Sequence, residues 1–106
     1  MKSYAIIFST GTFDDVEKAV AYYEENQTGL GKLFVTKLQL TLNAIKRNPL
    51  FATVRYNDIH CTSIKKFPYQ VHYHINDDEL KVTIIAVYST YKEPIWQIKK
   101  PRAFYI

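Results

Sequence analysis

The sequence predicts an α+β domain with an N-terminal strand, a hairpin of two antiparallel helices on one face of a mainly antiparallel four-stranded sheet, and a short C-terminal helical turn. Two observations carry this. Apolar residues recur at helical spacing through the first half of the chain and at every second position after Val54. The breaks fall where the backbone demands them, at Gly29-Leu30-Gly31 and at Pro49.

Residues 4–8 are aromatic and β-branched, and Ser9-Thr10-Gly11-Thr12 follows as a turn, so the chain opens on a strand. Thr12 is the expected cap of the first helix, with Asp14, Asp15 and Glu17 placed where the helix dipole favours negative charge. Val16, Ala19, Val20 and Tyr23 form its apolar stripe, and Tyr22 and Tyr23 divide between core and surface. After the glycine break, Leu30, Phe34, Leu38, Leu42 and Ile45 mark a second helix that Pro49 stops. Residues 59–66 form a less regular strand. In the next, Tyr69, Val71, Tyr73 and Ile75 point inward while Gln70, His72, His74 and Asn76 point to solvent. Asn76-Asp77-Asp78-Glu79 is a solvated hairpin turn, and residues 80–88 are apolar enough for the most buried strand. Residues 95–99 suit a helical turn, on which Trp96 packs as an anchor, before a basic, aromatic tail.

The 106 residues form one domain with neither repeats nor linkers, and 47% hydrophobic with 23% charged residues is ordinary for a folded protein. A net charge of +4 draws an anionic partner, nucleic acid or acidic peptide. Arg47, Arg55 and Arg102 are the only arginines among 14 cationic residues, so bidentate phosphate recognition is not the main device. Cys61 is the only cysteine, which excludes an intramolecular disulfide and suits a cytoplasmic setting; with no evident base it reads as a packed thiol. The apolar run at the N-terminus is too short for a signal peptide or a membrane span.

AYYEE (residues 21–25), TGLGKLF (28–34), KRNPLF (46–51), KKFPYQVHYHI (65–75) and VTIIAVYSTYKEPIW (82–96) together resemble the RelE/ParE toxins in order and spacing, over nearly the whole chain. The resemblance implies the toxin of a type II toxin–antitoxin or plasmid stabilisation system, neutralised by a cognate antitoxin and needing no cofactor. It also implies a homodimer or a hetero-oligomer with that antitoxin. RelE-like toxins cut mRNA on the ribosome, whereas ParE-like toxins inhibit DNA gyrase. Where cutting members carry arginine after the FPY-type tyrosine, this chain has Gln70, which cannot neutralise phosphate. The departure favours the ParE-like activity. The alternatives are a ribosome-dependent endonuclease and a degenerate member that only binds a partner protein.

If the chain cuts RNA, the candidates are Lys65, Lys66, His72, His74, Tyr91 and Lys92, because cleavage needs an acid, a base and a cation beside the phosphate. His60 joins them from the neighbouring strand, and Gln70, Lys99, Lys100 and Arg102 are further binding candidates. Against this, spacing of two equally suits histidines decorating a wet strand face, and adjacent lysines suit a solvated edge. A zinc site on His72 and His74 lacks a third and fourth ligand, so no metal is expected.

Overall fold

The computed structural model describes residues 3–90. Strand β1 (Ala5–Phe8) leads into helices α1 (Thr10–Asn26) and α2 (Leu30–Arg47), then a 3-10 turn (Pro49–Phe51). Strands β2 (Val54–Tyr56), β3 (Ile59–Ser63), β4 (Tyr69–Asn76) and β5 (Lys81–Ser89) complete one five-stranded sheet in the order β1-β5-β4-β3-β2. The predicted sheet had four strands. The fifth is the three-residue β2, too short for alternation to register, which pairs with β3 across an irregular register. β1 runs parallel to β5 and the other ladders are antiparallel. The predicted C-terminal helical turn, Trp96 and the basic tail lie outside the described residues.

The helical stripe reads as predicted, since Phe34, Leu38, Leu42 and Ile45 are buried and Leu30 packs against them. They meet Val71, Tyr73, Val82, Ile84 and Val87 on the sheet, and each such aliphatic or aromatic side chain contributes about 1.5–3 kcal/mol on burial. The two glycines serve different ends. Gly29 takes φ 91° at the start of α2, whereas Gly31 lies inside the helix, where an added Cβ would stand 2.9 Å from the Val20 carbonyl oxygen. Gly31 therefore lets α1 and α2 close on each other.

Thr12 is not the cap. The helix starts at Thr10 with Ser9 at its N-cap, three residues before the predicted cap, and Thr12 is buried with its hydroxyl donating to the Ile84 carbonyl at 2.8 Å. Nor is Asp15 committed to its own helix end, because it accepts a hydrogen bond from the Val87 N–H at 3.0 Å. The β4–β5 register skips Ile85, a bulge whose carbonyl accepts from the Ser9 hydroxyl at 3.2 Å. β1 stops pairing at Ile84, so the start of α1 supplies the partners that a longer β1 would have given β5.

Candidate functional site

The face of the sheet turned away from the helices carries three of the predicted site residues, Gln70, His72 and His74. Opposed pairs share a side of the sheet, so Cys61, His72 and Ala86 form one row and Ser63, Gln70 and Tyr88 the next. His74 lies opposite Thr83 beyond them. The sidedness predicted for Gln70, His72 and His74 holds.

Burial separates the two histidines. His74 is exposed, but His72 is only 2% exposed, which corrects its assignment to solvent. Its Nδ1 lies 3.1 Å from the Tyr56 hydroxyl and 3.4 Å from Cys61 Sγ, and the Tyr88 ring meets the imidazole edge-on at 6.3 Å. Tyr56 reaches His72 because β2 pairs beside β3, two strands from β4. Burial pushes the Cys61 thiol up to about 11, partly offset by the charge of Arg55, so the sulfur is a neutral packing group at physiological pH.

His60 does not join this cluster. It pairs with Tyr73 on the helix side, stacks on that ring at 5.3 Å, and its Nδ1 lies 2.7 Å from the Ala52 carbonyl oxygen. Tyr73 in turn donates to the Pro49 carbonyl at 2.6 Å, and its burial pushes the phenol up to about 12. These contacts pin the 3-10 turn after α2 to the sheet.

Lys65 and Lys66 are not on a strand. They sit exposed in the connection between β3 and β4, with Lys66 at φ 73°. That connection joins β4 at its Tyr69 end, while His74 lies four residues further along from Gln70, about 13 Å of extended chain. The predicted constellation is therefore dispersed: one histidine is buried in a hydrogen-bonded row, one is exposed, and the lysines lie at the far end. Tyr91, Lys92, Lys99, Lys100 and Arg102 lie outside the described residues. Among the described residues there is no group of three or more His, Cys, Asp or Glu able to hold a metal ion, and no helix long and apolar enough to cross a membrane.

No protein-family model and no curated protein sequence matches the chain. Solved structures do. The chromosomal ParDE toxin–antitoxin system from P. aeruginosa superimposes with a TM-score of 0.71 at 5% identity, covering 82% of this chain and 96% of that one. The intact E. coli RelBE toxin–antitoxin complex gives 0.66 at 17% identity over 87% of this chain and 100% of that one. A YoeB/ParE toxin from Agrobacterium tumefaciens gives 0.58 at 14% identity, over 80% and 96%. This chain has the RelE/ParE fold.

The likeness is one of fold, and what the chain does has to be argued from its site. Gln70, half-buried between Ser63 and Tyr88, brings an amide to the position where the resemblance led to the expectation of arginine. Tyr56 and Tyr88 were missed by the sequence reading. Their signal was parity: both fall on the side occupied by Cys61 and His72 once the strands are aligned.

Proposed function

We propose that the chain is the toxin of a type II toxin–antitoxin system and that it acts in the ParE-like manner, by inhibiting DNA gyrase without cutting RNA. The RelE/ParE fold supports the toxin assignment, and toxin–antitoxin complexes among the solved structures of like fold support an antitoxin as its partner. The observation that carries the choice of activity is the state of His72. An imidazole held by Tyr56 and Cys61 below the surface is badly placed to meet a 2′-hydroxyl, and Gln70 beside it offers no charge to a phosphate. Among the described residues, His74 stands far from Lys65 and Lys66, the cations that the endonuclease reading would set beside the phosphate.

Induced expression of the chain is expected to arrest growth, and the purified protein to slow supercoiling by gyrase while translated messages stay intact. Undiminished supercoiling together with discrete message ends would overturn the choice in favour of the endonuclease reading. That second reading keeps one observation: His72 and His74 share a strand face with Gln70 and Tyr88. It requires His72→Ala and His74→Ala each to abolish the message ends. Unimpeded growth would leave the protein-binding alternative.

A further inference from the structure

The sheet ends on two strands that pair on one side only, β1 and β2. β2 is irregular in register and carries Arg55, whereas Ala5, Ile6, Ile7 and Phe8 of β1 hold no charge, no proline and no bulge. Those are the devices that usually keep an edge strand from pairing further. The polar groups of β1 also divide by residue. The N–H groups of Ala5 and Ser9 donate to the Leu80 and Ile84 carbonyls at 2.9 and 3.0 Å, so every second residue from Ala5 turns its backbone to β5. Ile6 and Phe8 turn theirs to the open edge, where no described residue meets them.

Apolar side chains flank that edge on both sides of the sheet. Ile7, opposite Thr83 and on the side of His74, is 40% exposed. On the helix side a cleft of roughly 200 Å3 opens between Ile6, Phe8 and Leu42, rimmed by Gln39, Asn43 and Lys46. At the end of the strand the Phe13 ring, 59% exposed, leans on Phe8 at 5.4 Å.

We propose that β1 is the seat of a two-fold dimer, in which the same strand of a second copy of this chain adds antiparallel to it. A second copy suits this edge because one register meets every requirement at once. Ile6 must oppose Phe8 of the second copy for their outward N–H and C=O groups to be exchanged. That register sets Ile7 against Ile7 on the two-fold axis, in a pair without hydrogen bonds, where side chains approach most closely. It keeps Ile6 and Phe8 of both copies on the helix side, beside the cleft. Charge agrees. The start of each strand lies by the end of the other, so Lys46, whose carbonyl takes the Tyr4 N–H, approaches the α1 start of the second copy, where Asp14 and Glu17 are exposed. A slip of one residue would turn Ile7 to the wrong side and leave the bonds unmade. Four residues from each copy make a small interface, so the dimer fills only as concentration rises. The inference goes beyond the toxin reading and does not depend on it.

The test is sedimentation equilibrium of the isolated full chain, loaded from about 10 to about 500 µM to span a weak association. Dimer is expected to grow in with concentration. Ile7→Lys, at an exposed position, should weaken it about tenfold or more by setting lysine against lysine, and Ile7→Glu should do the same. Mixing these two variants should restore the dimer. Leu40→Ser on α2 should change nothing. A second readout does not need the charged variants to fold. Under mild oxidation Ile7→Cys should form a disulfide-linked dimer, since non-hydrogen-bonded partners stand about 4.5 Å apart at Cα. Ala5→Cys should not, because the register holds its two copies about 13 Å apart along the strands.

A chain that stays monomeric throughout would overturn the proposal and leave the edge to an extended segment of some other protein. So would a dimer indifferent to Ile7→Lys, a mixture of the two charged variants that stays monomeric, or cross-linking as ready through Ala5→Cys as through Ile7→Cys. A dimer abolished by Leu40→Ser would move the interface to α2 and overturn it equally.

Discussion

Tyr73 joins three parts of the molecule: its ring lies in the core, its face meets His60, and its hydroxyl closes on the Pro49 carbonyl. Tyr73→Phe keeps the packing and strands that carbonyl, so unfolding in urea should show a loss of about 1–3 kcal/mol. Burial raises both Tyr73, to about 12, and Cys61, to about 11, and the hydrogen bond to Asp77 raises Tyr4. A group raised in the folded state favours folding while it stays protonated. The contributions of Cys61 and Tyr73 are therefore complete below the ordinary thiol value of 9.0 and are lost as pH climbs from there to about 12. Stability measured against pH should fall across that window, and Cys61→Ala should remove the part of the fall that begins lowest. A flat profile to pH 12 would show that neither group is sealed as described. The same burial predicts that a thiol reagent at neutral pH modifies Cys61 only as fast as the chain opens.

The contact of α1 with β5 depends on side chains at the helix start. Thr12→Val should cost only about 1 kcal/mol, because the Ile84 carbonyl still accepts from the Ser9 N–H at 3.0 Å. Asp15→Ala should cost more, about 1–3 kcal/mol, since it takes the side-chain acceptor from the Val87 N–H. Amide hydrogen exchange separates the two: Asp15→Ala should speed exchange at Val87, and equal protection in both variants would deny the role of Asp15. The helix hairpin carries a parallel contrast. Gly29→Ala strains a left-handed backbone with space around it, so Gly29→Asn should recover much of the loss, whereas Gly31→Ala meets the Val20 carbonyl and Gly31→Asn should be worse.

Taken as one body, the molecule divides its labour by surface. The helix side of the sheet holds the core, the outer side holds the His72 row, and α2 turns its cations, Val35 and Leu40 away from the core. Tyr56→Phe tests the middle of these. It removes one partner of His72, so it should lower stability by about 1 kcal/mol and, under the proposed function, leave growth arrest unchanged if the row is structural. Loss of toxicity at unchanged stability would instead put His72 into the working surface.

Patterns carried along the chain were enough for the helix hairpin, its stripe, the stop at Pro49, the β4–β5 hairpin and the side of the sheet on which Gln70, His72 and His74 project. Each of these follows from neighbours within a turn or a pleat, which is why periodicity reports them. Burial of His72, the withdrawal of His60 to the helix side, the parallel joining of β1 to β5 and the support of the Ile85 bulge came only with the folded chain. Alternation says which way a side chain leaves a strand but not what covers it there. Tyr56 reaches His72 from 16 positions away and Asp15 meets Val87 from 72, distances over which no local rule acts.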